Sequence, residues 1–383
     1  MALTHDEAVA RARELAPGIA ARAREAEELR APHPDSIREL VEADLIGILT
    51  PKRWGGSELG LDTHREIVEI ISAACVSTGW ILAFYTGHSG MFATRFPEQA
   101  QAEFFAERPY IMAPATMAPV AKAERSDGGW TVSGRMPWGT GVMHADWVIL
   151  SGFASDGAPY MFAMPAEDTK VDDVWQMAGM AATGSNDIIV DNVFVPDHRS
   201  VPLRVAGAAN CENAQALDDP MYHLPLLAFI YCQAIPVFSG ALRGAVNSFD
   251  EITRRRTRTY TGATSTDDKY AHILLGQARI EAHMAERLVL DLIRETETHE
   301  GKFTIEDRAR MKGSAAAIVE LCRTSVNNLM HNAGASSFNL DVPLQRVFRD
   351  VNVIATHAFW DWGVSREQVG RISLGLPPTS PLV

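Results

Sequence analysis

Apolar residues recur at helical spacing from Thr4 to about Arg108. Val9, Ala12, Leu15, Ile19 and Ala23 lie three or four positions apart and predict one buried face on a long first helix. Pro32 and Pro34 interrupt the pattern. A second helix is expected from Asp35 or Ser36, with Ile37, Leu40 and Val41 on one face, ending before Gly47. Pro51-Lys52-Arg53-Trp54-Gly55-Gly56 reads as a turn. Helical periodicity resumes over Thr63–Ala74 and Ser77–Phe96, and the second of these is apolar nearly all round, which predicts a central position.

Between about Met112 and Val201 the period changes. Trp130–Ser133, Asp146–Leu150, Tyr160–Met164 and Ile188–Val190 are rich in β-branched and aromatic residues and bounded by Gly, Asp and Pro; Asn192–Pro196 would be a last strand. Strands without intervening helices predict a small antiparallel barrel or sandwich. Beyond an Ala/Asn/Asp-rich linker at 205–220, helical stretches are expected near 224–256, 266–299, 304–333 and 342–370. The fold class is therefore α+β, mainly α: an N-terminal helical domain at 1–110, a central β-barrel domain at 111–204 and a C-terminal four-helix bundle at 205–383.

Composition narrows the function. The chain has 383 residues, 46% hydrophobic and 22% charged, enough to bury a core without a metal or disulfide staple. Its 35 basic and 48 acidic side chains leave a formal charge of −13, which disfavours nucleic acid and anionic membrane as partners and favours a small-molecule ligand. Cys75, Cys211, Cys232 and Cys322 are far apart and lack zinc-site spacing; they read as reduced thiols of a cytoplasmic protein. Met1–Arg30 carries no apolar core of a secretory signal. The apolar run Leu224–Phe238, at 15 residues, falls short of a bilayer span and predicts a buried helix or helix pair.

Several chemistries lose their usual support. None of the twelve histidines follows a Glu by three positions, as a di-iron bundle requires. H-E-x-x-H, G-x-S-x-G, a P-loop and a G-x-G-x-x-G after a strand are all missing from the sequence.

Three strings spread over 300 residues carry a family resemblance. Pro51–Gly56 is similar to the P-x-x-[WY]-G-G turn of the acyl-CoA dehydrogenase superfamily, Gly184-Ser185-Asn186-Asp187 through Val193-Phe194-Val195-Pro196 to its T-x-S…V-x-VP segment, and Leu344-Gln345-Arg346 with Arg349-Asp350 to its RD signature. The resemblance implies a flavoprotein, usually a homotetramer, with the flavin between the β-domain and the bundle. Dehydrogenases of the superfamily commonly follow the RD signature with a Glu base. Here the stretch reads Ile354-Ala355-Thr356-His357-Ala358-Phe359-Trp360, with a histidine seven residues after Asp350 and no nearby Glu. That resembles the oxygenase components of two-component flavin-dependent monooxygenases, including phenol hydroxylases. Ser133-Gly134-Arg135-Met136-Pro137-Trp138-Gly139-Thr140-Gly141, running into His144-Ala145-Asp146-Trp147, is similar to their S-G-R-W-x-F-x-S-G…HADW, and departs from it at Met136, Trp138, Gly139 and Thr140.

The resemblance implies reduced FAD or FMN supplied by a separate NAD(P)H-dependent reductase, O2 as co-substrate, a C4a-hydroperoxyflavin and a small aromatic, phenolic substrate. Its implied catalytic residues are His357 at the hydroperoxide, Thr140 at flavin N5 and His88 at the substrate hydroxyl. His88 also has Phe84 and Phe92 one turn away, so core packing competes with substrate contact. Trp138, Gly141, Thr183 and Ser185 are candidate flavin contacts; an ordinary β-domain core and turn is the alternative for Trp138, Thr183 and Ser185. Arg258, in the basic run Arg254–Arg258, could reach a flavin phosphate or simply end a solvated helix. Ser336 and Ser337 follow a glycine in a loop that resembles the one reaching flavin from a neighbouring subunit, or else merely connects two helices. N- or S-oxygenation on the same fold, as in amino-sugar nitrososynthases, an acyl-CoA dehydrogenase, and a flavin-free scaffold are the competing readings.

Overall fold

The computed structural model describes residues 2–214, 216–257 and 264–383. Arg258 lies outside them. Helix α1 (His5–Leu29) opens on a capping box: Thr4 Oγ1 accepts from the Glu7 amide at 3.3 Å, and the Glu7 carboxylate accepts from the Thr4 amide at 2.8 Å. Its expected stripe is buried at Val9, Ala12, Ile19 and Ala23. Helix α2 (Pro34–Glu42) starts one residue earlier than expected, because proline at the first helical position needs no amide partner. Helices α3 (Leu61–Ala74), α4 (Val76–Arg95) and α5 (Glu98–Phe104) complete the N-terminal lobe. Every residue of α4 except Phe84 is buried, as its all-round apolar pattern requires.

Seven strands follow: β1 (Ala115–Ser126), β2 (Gly129–Met136), β3 (Trp147–Ala154), β4 (Pro159–Pro165), β5 (Lys170–Asp172), β6 (Asp187–Pro196) and β7 (Ser200–Pro202). They form one sheet in the order β5-β6-β2-β1-β3-β4-β7. Two expectations are corrected here. The sheet is open among the described residues rather than a closed barrel, and it is not wholly antiparallel, because β1 and β3 run parallel. The chain turns back from β1 to β2 and then crosses over through 137–146 before entering β3. That crossover carries Trp138, Thr140 and Gly141. The two short strands expected at 188–190 and 192–196 are a single strand, β6, with a bulge: Val132 pairs with Val193 but Gly134 with Val190, so β6 holds one extra residue. Asn192, at φ +53°, sits in that bulge and gave the sequence its turn-like break. Strand β1, polar on much of its surface, was not legible in the sequence.

After α6 (Leu203–Ala206) the apolar run becomes a helix pair, α7 (Leu226–Ala234) and α8 (Pro236–Arg255), meeting at Ile235–Pro236 inside the protein. Helices α9 (Lys269–Glu297) and α10 (Ile305–Asn332) pack against α8. The last expected helix is two: α11 (Pro343–Ile354) and α12 (Trp362–Ser373), separated by a turn at 355–361. His357 lies in that turn rather than on a helix. The helical core and the β-core (Val132, Leu150, Phe162, Ile188, Val195) are distinct clusters, and the cavity described next is lined from both sides.

Candidate active site

Helix α4 presents Trp80, Phe84 and His88 one turn apart on one face. Across from it stand the 137–140 crossover, the loop from Trp175 to Ser185, and the end of α11 with its following turn. Together they enclose a cavity of about 420 Å³. Its lining includes His88, Trp138, Thr140, Thr183, Ser185 and His357, six residues singled out from the sequence. An aromatic row runs along one wall: His357 to Trp80 at 6.4 Å between ring centres, Trp80 to Phe84 at 4.7 Å, Phe84 to His88 at 5.3 Å.

The two histidines are held in opposite tautomers. His88 Nδ1 lies 2.7 Å from the Ala113 carbonyl oxygen, which can only accept, so Nδ1 carries the proton and Nε2 keeps its lone pair. His357 caps the short turn that follows it. Its Nδ1 accepts from the Phe359 amide at 3.3 Å, so its proton sits on Nε2. Burial pushes His88 down to about 4. His357 is likewise pushed to about 4, by burial first and then by the charge of Lys312. His357 lines the cavity and is uncharged at neutral pH.

Three hydroxyls form a chain. Thr140 Oγ1 lies 3.1 Å from Ser185 Oγ, which lies 2.7 Å from Thr183 Oγ1; Thr183 donates to the Met180 carbonyl at 2.8 Å, and the Trp80 indole donates to Thr140 at 3.4 Å. Trp138 stands at the rim with φ +61°, its amide donating to Asp187, and the residue is 68% exposed. Gly141 does not line the cavity. Its carbonyl accepts from the Tyr85 hydroxyl at 2.5 Å, its amide donates to Thr183, and a Cβ there would sit 2.6 Å from the Tyr85 oxygen. It serves the site by fixing Thr140. Ser336 and Ser337 also lie outside the cavity; Ser337 donates to the Ala333 carbonyl at 2.9 Å. Asp146 and His144 have structural partners, Asp146 accepting from the Met112 amide and pairing with Arg108, His144 facing the Pro32 carbonyl.

The cavity also contains Met136, Pro137, Ile354 and Thr356, which lie in the quoted strings, and Trp175, Met177, Met180 and Val353, which sequence reasoning missed. No carboxylate lines the cavity among the described residues, nor do His, Cys, Asp and Glu gather into a metal site. A flat heteroaromatic ring fits this lining. An uncovered indole at the rim offers a stacking face, and the hydroxyl chain offers polar contacts at one edge.

Fold and cavity together define a flavoprotein-like α–β–α architecture without an acid–base carboxylate in its site. The chain belongs to the acyl-CoA dehydrogenase family, on its monooxygenase branch: the N-terminal domain model matches residues 4–108 and the C-terminal domain model residues 231–362. It is 40% identical over 389 aligned positions, all of both chains, to a pigment production hydroxylase of Rhodococcus sp.. It is 29% identical to the oxygenase subunit HsaA, a flavin-dependent monooxygenase of Rhodococcus jostii, over 96% of this chain and 98% of that one. Among solved structures, XiaF of Streptomyces sp. in complex with FADH2 and glycerol superposes with a TM-score of 0.90 at 28% identity, covering 98% and 97% of the two chains.

Proposed function

We propose that this protein is the oxygenase component of a two-component flavin-dependent monooxygenase that hydroxylates a small phenolic molecule. The observation that carries the reading is one cavity holding two neutral histidines of opposite tautomer and, among the described residues, no carboxylate. A dehydrogenase of this fold needs a base for an α-proton, and the lining offers no acid side chain for it.

When bound, reduced flavin supplies the two electrons with which O2 is divided between product and water. The chain's own residues do the remaining work. Trp138 would hold the ring by stacking, and Thr140, backed by Ser185 and Thr183, would offer it a hydroxyl. His88 accepts the phenolic proton on Nε2, which enriches the ring carbon beside the hydroxyl in electrons. His357 keeps its proton on Nε2 and would donate a hydrogen bond from it to the oxygen species held there. The apolar wall of Trp80, Phe84, Met136, Met177 and Ile354 keeps water out, which suppresses loss of the electrons to H2O2.

A separate reductase is required by this chemistry, and we assign it NAD(P)H as electron source. An oligomer, as a tetramer, is supported by Ile273, Ile280, Met284 and Leu288, apolar side chains 43–64% exposed along one face of α9. Ser336 and Ser337 would then serve a neighbouring subunit's flavin, and Arg258 a flavin phosphate. Four free, buried cysteines support a reducing, cytoplasmic setting.

The direct test is reconstitution. NADH consumption and hydroxylation of a phenol are expected only when a flavin reductase is added; reduction of bound flavin by an acyl-CoA without oxygen would favour the dehydrogenase instead.

A further inference from the structure

Lys312 is at the start of the third turn of α10, well inside the bundle, and its side chain is fully buried. Buried lysines are ordinarily paired with a carboxylate. This one has no ion pair among the described residues. Its ammonium donates instead to two backbone carbonyls, Phe359 at 2.7 Å and Ala358 at 3.5 Å. Both belong to the turn that His357 caps. The same turn is tied twice more, by the Trp360 indole donating to the Ile354 carbonyl at 2.7 Å and by the Trp360 amide donating to the His357 carbonyl at 3.1 Å. Lys312 is the one charged group in this set, and it reaches the turn from a different helix.

We infer that Lys312 is the positioning residue of His357: by holding the Ala358 and Phe359 carbonyls it aims the Phe359 amide at His357 Nδ1 and so keeps the imidazole proton on Nε2. Its charge acts in the same direction, since a cation behind the ring disfavours a second proton. The geometry and the charge are separable. Asp361, at the N-terminus of α12, is the acidic group whose field reaches Lys312, and its own carboxylate is occupied by the Val364 amide at 2.8 Å. His88, on α4, lines the same cavity and is uncharged near neutral pH, so it does not oppose Lys312. The inference rests on the catalytic reading of His357, but its test does not.

The experiment follows histidine labelled with 13C at Cδ2 and Cε1 in the flavin-free protein, taking as His357 the signal lost in His357→Gln. In the wild type, His357 is expected as the Nε2–H tautomer, titrating near 4. Lys312→Met should raise that midpoint by about one pH unit or more and let the tautomers mix. Lys312→Gln keeps a donor without the charge, so the midpoint should rise while the tautomer stays. Thermal unfolding of both variants shows that they are folded. A Lys312→Met protein whose His357 keeps its midpoint and tautomer would overturn the inference. So would a wild-type His357 protonated on Nδ1 or charged at neutral pH, a result that needs no variant. If the spectra behave as expected while the share of O2 lost as H2O2 does not change in Lys312→Met, the positioning stands and the catalytic reading of His357 fails.

Discussion

Because burial holds the His88 imidazole at about 4, its Nε2 lone pair stays free through the whole neutral range. A histidine with a depressed pKa is a base above that value and loses its function only as pH falls through it. The acid limb of kcat/KM for phenol hydroxylation should therefore fall near pH 4, as far as the fold survives, and not near 6.5. His88→Ala removes the acceptor while leaving Trp138, Thr140 and His357 in place. Its kcat/KM should drop by about 10²-fold or more, as loss of a general base does, with flavin affinity unchanged. A wild-type limb near 6.5, or an undiminished kcat/KM, would remove His88 from catalysis. The tautomer assignments were not legible in the sequence. Ala113 and Phe359, which set them, are an ordinary strand-approach residue and an aromatic, and only tertiary placement aims their backbone groups at imidazoles.

At the scale of elements, the site depends on how α11 grips the Trp175–Ser185 loop. Asp350 is fully enclosed, and its Oδ1 accepts from the amide of Met180, a left-handed residue at φ +57°. The Met180 carbonyl in turn receives the Thr183 hydroxyl and the Trp175 indole. Gly179 makes the contact close: a Cβ there would lie 2.3 Å from the Arg349 carbonyl oxygen. Burial pushes Asp350 up to about 7, which marks how little solvent reaches it. Asp350→Ala would leave a buried amide unpaired, at a cost of about 1–3 kcal/mol, whereas Asp350→Asn keeps the acceptor. Thermal unfolding should show the alanine variant clearly less stable than the asparagine one; equal stabilities would mean this contact does not hold the loop. The RD string and the Thr183–Ser185 string were both visible as sequence, because each is a run of neighbours. Their meeting was not, since it joins residues 170 positions apart. The same reason hid the break after Ile354. No Gly or Pro falls between Pro343 and Trp362, and the turn is held by tertiary contacts: the Trp360 indole takes the Ile354 carbonyl and Lys312 the Ala358 and Phe359 carbonyls.

For the whole molecule, the α–β–α order was readable from the change of hydrophobic period, and its use is now physical. The helical lobe supplies the α4 wall, the sheet supplies the crossover with Thr140, and the bundle supplies His357, so the reaction chamber exists only where all three meet. The overall charge of −13 leaves any flavin phosphate to be held by a local basic group. In this chamber His357 directs reduced oxygen to a phenol rather than to H2O2. The measurement is the ratio of hydroxylated product to H2O2 per NADH oxidised, in the system reconstituted with a reductase, for the wild type and His357→Ala. The wild type should favour product, and the variant should bind reduced flavin as well but release most of its electrons as H2O2. An unchanged ratio in a folded, flavin-binding variant would contradict it.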